Sequence, residues 1–153
     1  MQITDLLTPQ RIACHARGAS KKRAFELLSE LLSSAQPESD AHEIFDSLVA
    51  RERLGGTGLG HGVALPHGRM KGGQQPMGAL VRLAGGVDFD ALDKQPVDIL
   101  FALLVPENCT EEHLQILALL AQMFSDKSLR AELRAADSSE ALYELMSQWR
   151  PAA

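Results

Sequence analysis

Hydrophobic residues recur at helical spacing in two segments near the start of the chain. The first follows Ser20, which can cap a helix, and extends to about residue 34. Its apolar stripe consists of Ala24, Leu27, Leu28, Leu31 and Leu32. Asp40 and Glu43 form a capping-box pattern for the second segment. Its stripe consists of Ile44, Phe45, Leu48 and Val49. The spacing predicts two helices, the second extending to Arg51 and ending before Gly55.

The middle of the chain has short apolar runs instead of helical spacing. Residues 63–65, 78–84 and 97–105 have the length and composition of buried strands. The run at 97–105 is apolar almost throughout, as expected of a central strand covered on both faces. A further short strand is predicted near residues 87–89. The middle of the chain is therefore predicted to form the sheet.

Helical spacing returns in the last third. Thr110 can cap a helix that begins with two glutamates. Its stripe consists of Leu114, Leu117, Leu120, Ala121 and Phe124. A short helix is predicted from Ser125 or Asp126 to residue 134, and Asp137 with Glu140 forms a capping box for the last helix. The last stripe consists of Leu142, Leu145, Met146 and Trp149. Helices on both sides of a strand-rich middle predict a mixed sheet sandwiched by helices.

Length and charge narrow the possible functions. At 153 residues the chain is expected to form one domain. The net charge of −5 argues against a general nucleic-acid binder. Residues 51–71 nevertheless carry +3, so the remainder carries −8. A basic patch on an acidic protein suits a small anion better than a duplex.

Cysteine usage and hydropathy predict a cytoplasmic protein. Cys14 and Cys109 are far apart and lack metal-ligand spacing, so we interpret them as reduced, mostly buried thiols. No charged-then-apolar segment with a cleavage site opens the sequence, and no apolar run approaches about 18 residues. Membrane insertion is therefore not expected.

The sequence GHGVALPHGR at 60–69 contains the most informative side chain, His67. Pro66 fixes its own backbone angle and favours an extended Leu65, while Gly68 would let the chain turn sharply after the ring. Neutral imidazole is a good nucleophile, and its pKa lies near cellular pH. An isolated histidine would more often line a turn. This setting instead predicts an imidazole presented at a surface dent, where a nucleophile or ligand is useful.

A longer stretch carries a family resemblance. The sequence RERLGGTGLGHGVALPHG at 51–68 resembles the active-site signature of the fructose/mannitol-type (type-2) IIA proteins of the phosphoenolpyruvate-dependent phosphotransferase system (PTS). The opening MQITDLLTP and the later QPVDILFALLVP at 95–106 resemble the nitrogen-regulatory branch (IIA-Ntr, PtsN). The resemblance covers about residues 3–149 as a single domain. It implies an α/β/α sandwich with a central mixed β-sheet flanked by helices.

The resemblance also implies roles in phosphoryl transfer. His67 would accept the phosphoryl group on Nε2, and His113 and Arg51 would stabilise that group. The chemistry agrees, because this reaction needs positioning and positive charge on the equatorial oxygens, and a guanidinium offers paired donors. The alternatives are that Arg51 is a solvated charge at a helix end, with Arg53 as the local competitor for its role, and that His113 is a partly buried surface residue.

Glycine is dense between positions 55 and 62. Such a loop can aim backbone N–H groups at an anion or can simply turn tightly. Thr57, Gly58 and Gly60 are the candidates for contacts with phosphate. Neither a dinucleotide fingerprint nor a Walker-type Gly-Lys-Ser/Thr is present, so no nucleotide or other cofactor is predicted.

Two further polar features are weaker. His61 stands where the family commonly has a small polar residue, and it could join His67 and His113 at a metal ion. No cysteine or carboxylate completes a recognisable ligand pattern, so no metal is predicted. The acidic segment 87–93 is predicted to be a solvated loop. Alternatively, its carboxylates and an exposed Phe89 could dock a partner.

Three functional hypotheses follow. The resemblance implies a cytoplasmic phosphocarrier and nitrogen regulator that takes a phosphoryl group on His67 from an HPr-like protein (NPr). A sugar-specific IIA component would instead pass the group to the IIB unit of a transporter. A binding module would contact sensor kinases or potassium transporters and use His67 only as a switch, because a phosphoryl dianion changes partner affinity.

Overall fold

The computed structural model describes residues 2–17, 20–34, 40–70, 75–108 and 111–151. Two short 3-10 helices, Ile3–Asp5 and Pro9–Arg11, precede the first strand, β1 (Ile12–Ala16). Helices α1 (Lys21–Ser33) and α2 (Ala41–Leu54) follow. The next five strands are β2 (Gly58–Gly60), β3 (Val63–Ala64), β4 (His67–Met70), β5 (Met77–Val87) and β6 (Val97–Pro106). The last helices are α3 (Glu111–Phe124), α4 (Lys127–Ala135) and α5 (Ser139–Gln148).

Strand β6 is at the centre of a six-stranded mixed sheet. The strand order is β1-β5-β6-β3-β2, and β4 also pairs with β6. β6 is antiparallel to β5 and parallel to both β3 and β4. Val63 pairs with Ile99 and His67 with Leu103, which is the same offset along β6. β3 and β4 are therefore two pieces of one strand, interrupted between Ala64 and His67.

Alternate residues of β6 pack into two separate hydrophobic cores, one on each face of the sheet. Ile99, Phe101, Leu103 and Val105 pack with α3, α4 and α5. Leu100, Ala102 and Leu104 pack with α1 and α2. Because successive strand residues point to opposite faces, an almost wholly apolar strand requires a helix layer on each side. The α/β/α sandwich with a mixed sheet is therefore confirmed.

The first two helices begin where the sequence predicts. The side chains of Ser20 and Asp40 accept hydrogen bonds from the backbone N–H groups of Arg23 and Glu43, at 3.1 and 2.8 Å. Of the predicted stripe of α1, Ala24, Leu28 and Leu32 are buried together with Phe25, whereas Leu27 and Leu31 are only partly buried. None of the helices in the described ranges is long and apolar enough to cross a bilayer.

The predicted stripe of α3 is wrong in part. Leu114 is 68% exposed, whereas His113, Ile116 and Met123 are buried. The helix carries apolar residues on more than one face, so spacing alone did not select the face that the sheet covers. The predicted cap Thr110 lies outside the described residues.

The last helix begins one residue later than the predicted cap implies. The side chain of Ser138, rather than that of Asp137, accepts from the N–H of Ala141 at 3.1 Å. The cap of α4 is Asp126, which is one of the two predicted residues. Both outcomes satisfy N–H groups that a helix terminus would otherwise leave unpaired.

The two long strands are confirmed and three short ones were missed. Residues 78–84 and 97–105 lie within β5 and β6. The missed strands are β1, the glycine-rich edge strand β2, and β4, which begins at His67. Asp88 and Phe89 are outside any strand, so the prediction of a separate strand near 87–89 is wrong. Phe89 is also 4% exposed rather than free to dock, because it packs against Phe25 with ring centroids 5.9 Å apart.

Candidate functional site

His67 is the first residue of β4 and is 9% exposed. Gly68, next in the strand, does not turn the chain as predicted. A Cβ there would collide with the side chain of Ser47 on α2 and lie 3.2 Å from its backbone carbonyl carbon. Ser47 Oγ also donates to the carbonyl of Arg69 at 2.8 Å and accepts from its N–H at 3.1 Å. Gly68 therefore lets α2 approach the strand that carries His67.

The hydrogen bond of the His67 ring defines its tautomer. Nδ1 lies 2.8 Å from the carbonyl oxygen of Leu65. A carbonyl can only accept, so Nδ1 must carry the proton. In the neutral ring Nε2 then holds the lone pair. Nε2 is thus the nitrogen left free to act as a nucleophile or ligand, and it is the nitrogen that the resemblance implies.

His113 lies at the edge of the His67 ring. The two ring centroids are 5.4 Å apart and the planes meet at 81°. His113 is in the first turn of α3 and is 7% exposed. Its Nε2 is buried without a hydrogen-bond partner among the described residues. Buried polar groups are almost always paired, so this nitrogen, beside the ring of His67, lacks the hydrogen bond that a buried imidazole nitrogen normally makes.

Burial favours the neutral form of both imidazoles. It lowers the pKa of His67, and nearby Arg51 acts in the same direction, while the bond to Leu65 and the charge of Glu52 oppose the shift. Burial also lowers the pKa of His113. The charges of His67, Arg69 and Arg51 lower it further, by smaller amounts. Desolvation disfavours the charged form of a histidine, and neighbouring cations do the same. Neutral rings are the form in which His67 can attack and His113 can donate one N–H.

Arg51 lies in the last turn of α2, where its Nη1 donates to the carbonyl of Gly55 at 2.8 Å. It is half-buried, and its charge acts on both histidines. The structure therefore brings together His67, His113 and Arg51. Arg69, on β4, adds a second positive charge near His113.

Only part of the glycine-rich segment is near His67. Thr57 Oγ1 donates to Glu52 Oε1 at 2.5 Å and its N–H donates to Glu52 Oε2 at 3.2 Å. Gly58 and Gly60 lie in β2, where added Cβ atoms would meet Ala91 at 3.6 Å and the Asp93 carboxylate at 3.4 Å. These contacts place the two glycines against the 91–93 loop. Phosphate binding by Thr57, Gly58 and Gly60 stays a prediction.

His61 has its backbone held from both sides. Its φ is 57°, its N–H donates to Asp93 at 2.8 Å, and its carbonyl accepts from Arg134 at 2.5 Å. Within the described ranges no group of three or more His, Cys, Asp or Glu side chains is arranged to hold a metal ion. Cys14 is a free, partly buried thiol, while Cys109 lies outside the described residues.

Sequence reasoning missed three contributors to this site. Ser47 ties α2 to β4, Glu52 orders Thr57, and the Leu65 carbonyl sets the tautomer of His67. Glu52 lies inside the signature segment and could have been identified there. The other two roles depend on tertiary contacts that no local pattern records.

Comparison with known proteins places the chain among phosphotransferase components. The profile of the family described as "Phosphoenolpyruvate-dependent sugar phosphotransferase system, EIIA 2" matches residues 5–149. A nitrogen regulatory protein of Pseudomonas aeruginosa is 48% identical over 146 residues, which cover 95% of each chain. A fructose-specific PTS EIIA component of Haloferax volcanii is 34% identical over 151 residues, covering 97% of this chain and 98% of that protein.

A solved structure is also similar over nearly the whole chain. The crystal structure of the nitrogen regulatory protein IIA-Ntr from Neisseria meningitidis superimposes with a TM-score of 0.89 at 44% identity. The match covers 94% of this chain and 98% of that one. The similarity therefore extends to the arrangement of the elements that carry His67, His113 and Arg51.

Proposed function

The chain belongs to the type-2 EIIA family of the phosphoenolpyruvate-dependent sugar phosphotransferase system, and on that premise we propose that it is a cytoplasmic, nitrogen-regulatory phosphocarrier. It accepts a phosphoryl group on His67 from an HPr-like carrier of the NPr type. The observation that carries the proposal is the Nδ1–H bond of His67 to Leu65, which leaves Nε2 as the nucleophile.

The reaction balances without any further reactant. Nε2 of His67 forms a bond to phosphorus while the bond from phosphorus to the donor's histidine nitrogen breaks and that nitrogen keeps the electron pair. The proton stays on Nδ1 and remains hydrogen-bonded to the Leu65 carbonyl. Arg51 neutralises charge on the equatorial oxygens, and His113 Nε2 donates to one of them. These contacts supply the positioning and positive charge that phosphoryl transfer requires.

Regulation follows from the charge that the phosphoryl group adds. Phosphorylation places roughly −1.5 to −2 elementary charges at the protein surface near pH 7. A partner surface that fits the unmodified site would meet that charge, and its affinity would change. We propose sensor kinases or potassium transporters as the class of regulated partner, in keeping with the nitrogen-regulatory branch.

One observation favours a second candidate. The Haloferax volcanii relative is a fructose-specific EIIA component, and it is similar over almost the full length of both chains. The alternative function is therefore a fructose- or mannitol-specific IIA component that passes phosphate to the IIB unit of a sugar transporter. Efficient transfer from phosphorylated protein to a purified IIB unit would favour this alternative.

The first experiment is intact-mass analysis after incubation with phosphoenolpyruvate, the general phosphotransferase enzyme and an HPr-type carrier. We expect one acid-labile phosphoryl group on the wild type and none on His67→Ala. Phosphorus NMR of the product should place the group on Nε2. If His67→Ala were phosphorylated like the wild type, the proposed acceptor would be wrong. No gain on the wild type with a competent donor would leave the binding module as the better hypothesis.

A further inference from the structure

A groove of about 510 Å³ lies between α1 and α2. Phe25, Phe45 and Val49 form its apolar surface. Phe25, on α1, is 2% exposed, while Phe45 and Val49, on α2, are partly buried. Amphipathic helices bind by placing their apolar face in a groove lined by apolar side chains, and this cavity offers aromatic and aliphatic side chains from both helices.

Cations stand on both walls of the groove. Lys22 is exposed on α1 and Arg53 is exposed on α2. At one end Lys21 pairs with Glu52 at 2.9 Å, so its charge is already neutralised. Among the described residues no carboxylate forms an ion pair with Lys22 or Arg53.

The groove therefore carries a net positive charge on a protein whose net charge is negative. Its charged lining sums to +2, whereas the whole chain carries −5, so the remainder carries −7. Opposite charge across an interface guides encounter and fixes orientation. Lys22 and Arg53 therefore favour a partner that carries carboxylates on both sides of its apolar residues.

The apolar part of the groove faces away from the contact between α2 and β4, although Glu52 at its edge also orders Thr57 near His67. Ser47, the α2 residue that contacts β4, lies two positions from both Phe45 and Val49. At 3.6 residues per turn, two positions correspond to roughly 200° around the helix. The groove and the contact with β4 are therefore on opposite faces of α2.

We propose that the groove between α1 and α2 is a docking site for an acidic amphipathic helix of a protein partner. Apolar residues one turn apart on that helix would occupy the space over Phe25, Phe45 and Val49. Its flanking Asp or Glu residues would pair with Lys22 and Arg53. The proposal does not depend on phosphoryl transfer, because the side chains that would contact the partner helix do not include His67, His113 or Arg51.

The test uses a synthetic, fluorescently labelled helical peptide with Leu at positions i, i+3, i+4 and i+7 and Glu on both flanks. Binding is measured by fluorescence anisotropy against the full-length protein at two salt concentrations. We expect saturable binding that weakens with salt. A matched peptide with Lys in place of each Glu should bind at least about tenfold more weakly, since it reverses every rim contact.

Variants locate the binding surface. Val49→Asp should abolish binding, and the double variant Lys22→Glu/Arg53→Glu should reduce it by about tenfold or more. Lys127→Glu, which reverses a lysine on α4, is the matched control and should leave binding unchanged. Circular dichroism and His67 phosphorylation by an HPr-type carrier should be unaffected in all of them. They separate a failure of the groove from misfolding and from a failure of the phosphocarrier proposal.

Each remaining outcome contradicts the proposal. Absence of binding at millimolar peptide would overturn it, as would equal binding of the lysine peptide. Binding that persists in Val49→Asp would assign the peptide to another surface. Sedimentation of the wild-type protein with anionic lipid vesicles, together with absent peptide binding, would assign the basic groove to a membrane surface instead.

Discussion

Substituting Gly68 by alanine tests whether close packing of α2 on β4 holds the site together. A Cβ at this position would collide with Ser47 Oγ and lie 3.2 Å from both Cβ and the carbonyl carbon of Ser47. The added methyl group has no room unless α2 moves away from β4. Such a movement would separate Arg51, one turn further along α2, from His67, which is next to the substitution.

The magnitude follows from two contributions. Overpacking of this kind destabilises by about 1–3 kcal/mol. Displacement of Ser47 also weakens its two hydrogen bonds with Arg69, each of which contributes about 0.5–1.5 kcal/mol. Because the bonds are weakened rather than lost, we expect Gly68→Ala to lower the free energy of unfolding by about 2–4 kcal/mol. Ser47→Ala alone should lower it by about 1–3 kcal/mol, because it removes both hydrogen bonds without the clash.

Urea unfolding followed by the fluorescence of the single tryptophan, Trp149, measures these values. The double variant Ser47→Ala/Gly68→Ala should be more stable than additivity predicts, by about 1 kcal/mol, since the first change removes the atom that the second one strikes. Gly85→Ala is the matched control, because a Cβ there meets nothing within 4 Å. If Gly68→Ala were as stable as Gly85→Ala, or if the double variant were simply additive, the packing argument would be refuted.

Two further predictions concern the charges of the site. In single-turnover assays, Arg51→Gln should slow phosphorylation of His67 by about 10²–10³-fold and Arg51→Lys by less. Arg53→Gln should change the rate by less than about twofold. Equal effects of the substitutions at the two arginines would contradict the role of Arg51. Because burial lowers the pKa values of His67 and His113, the unfolded chain binds more protons below pH about 6.5. The free energy of unfolding should therefore fall as the pH drops from about 6.5 towards the lowered pKa values. It should fall less in the double variant His67→Gln/His113→Gln. Identical pH dependence of the wild type and the double variant in urea titrations would refute this prediction.

Helix starts and the two-layer covering of the central strand could be predicted from the sequence, because they depend on residues close together in the chain. Ser20, Asp40 and Asp126 cap helices because their side chains satisfy N–H groups of the next turn. The apolar run of β6 required two helix layers whatever the strand order. Strand order itself could not be predicted in this way, since it depends on pairings between distant segments such as β1 with β5.

The errors share a physical cause. Leu114 is exposed and Phe89 is buried because neighbouring elements, rather than hydropathy, decide which face of a segment is covered. Gly68 was interpreted as a turn residue, whereas its role is to leave space for Ser47. In each case the deciding contact lies more than 20 positions away along the chain or on another element, so no window of sequence contains it.

The interruption between β3 and β4 orients the ring of His67, the proposed nucleophile. Proline has no N–H and cannot donate to the ladder with β6, so Pro66 breaks the strand just before His67. The N–H of Leu65 turns away and donates to the carbonyl of Thr57 at 3.0 Å, while the Pro66 carbonyl still accepts from Leu103 at 2.9 Å. The Leu65 carbonyl accepts from His67 Nδ1. A break in the strand thus sets the tautomer, and the resumed pairing of His67 with Leu103 fixes the ring beside His113.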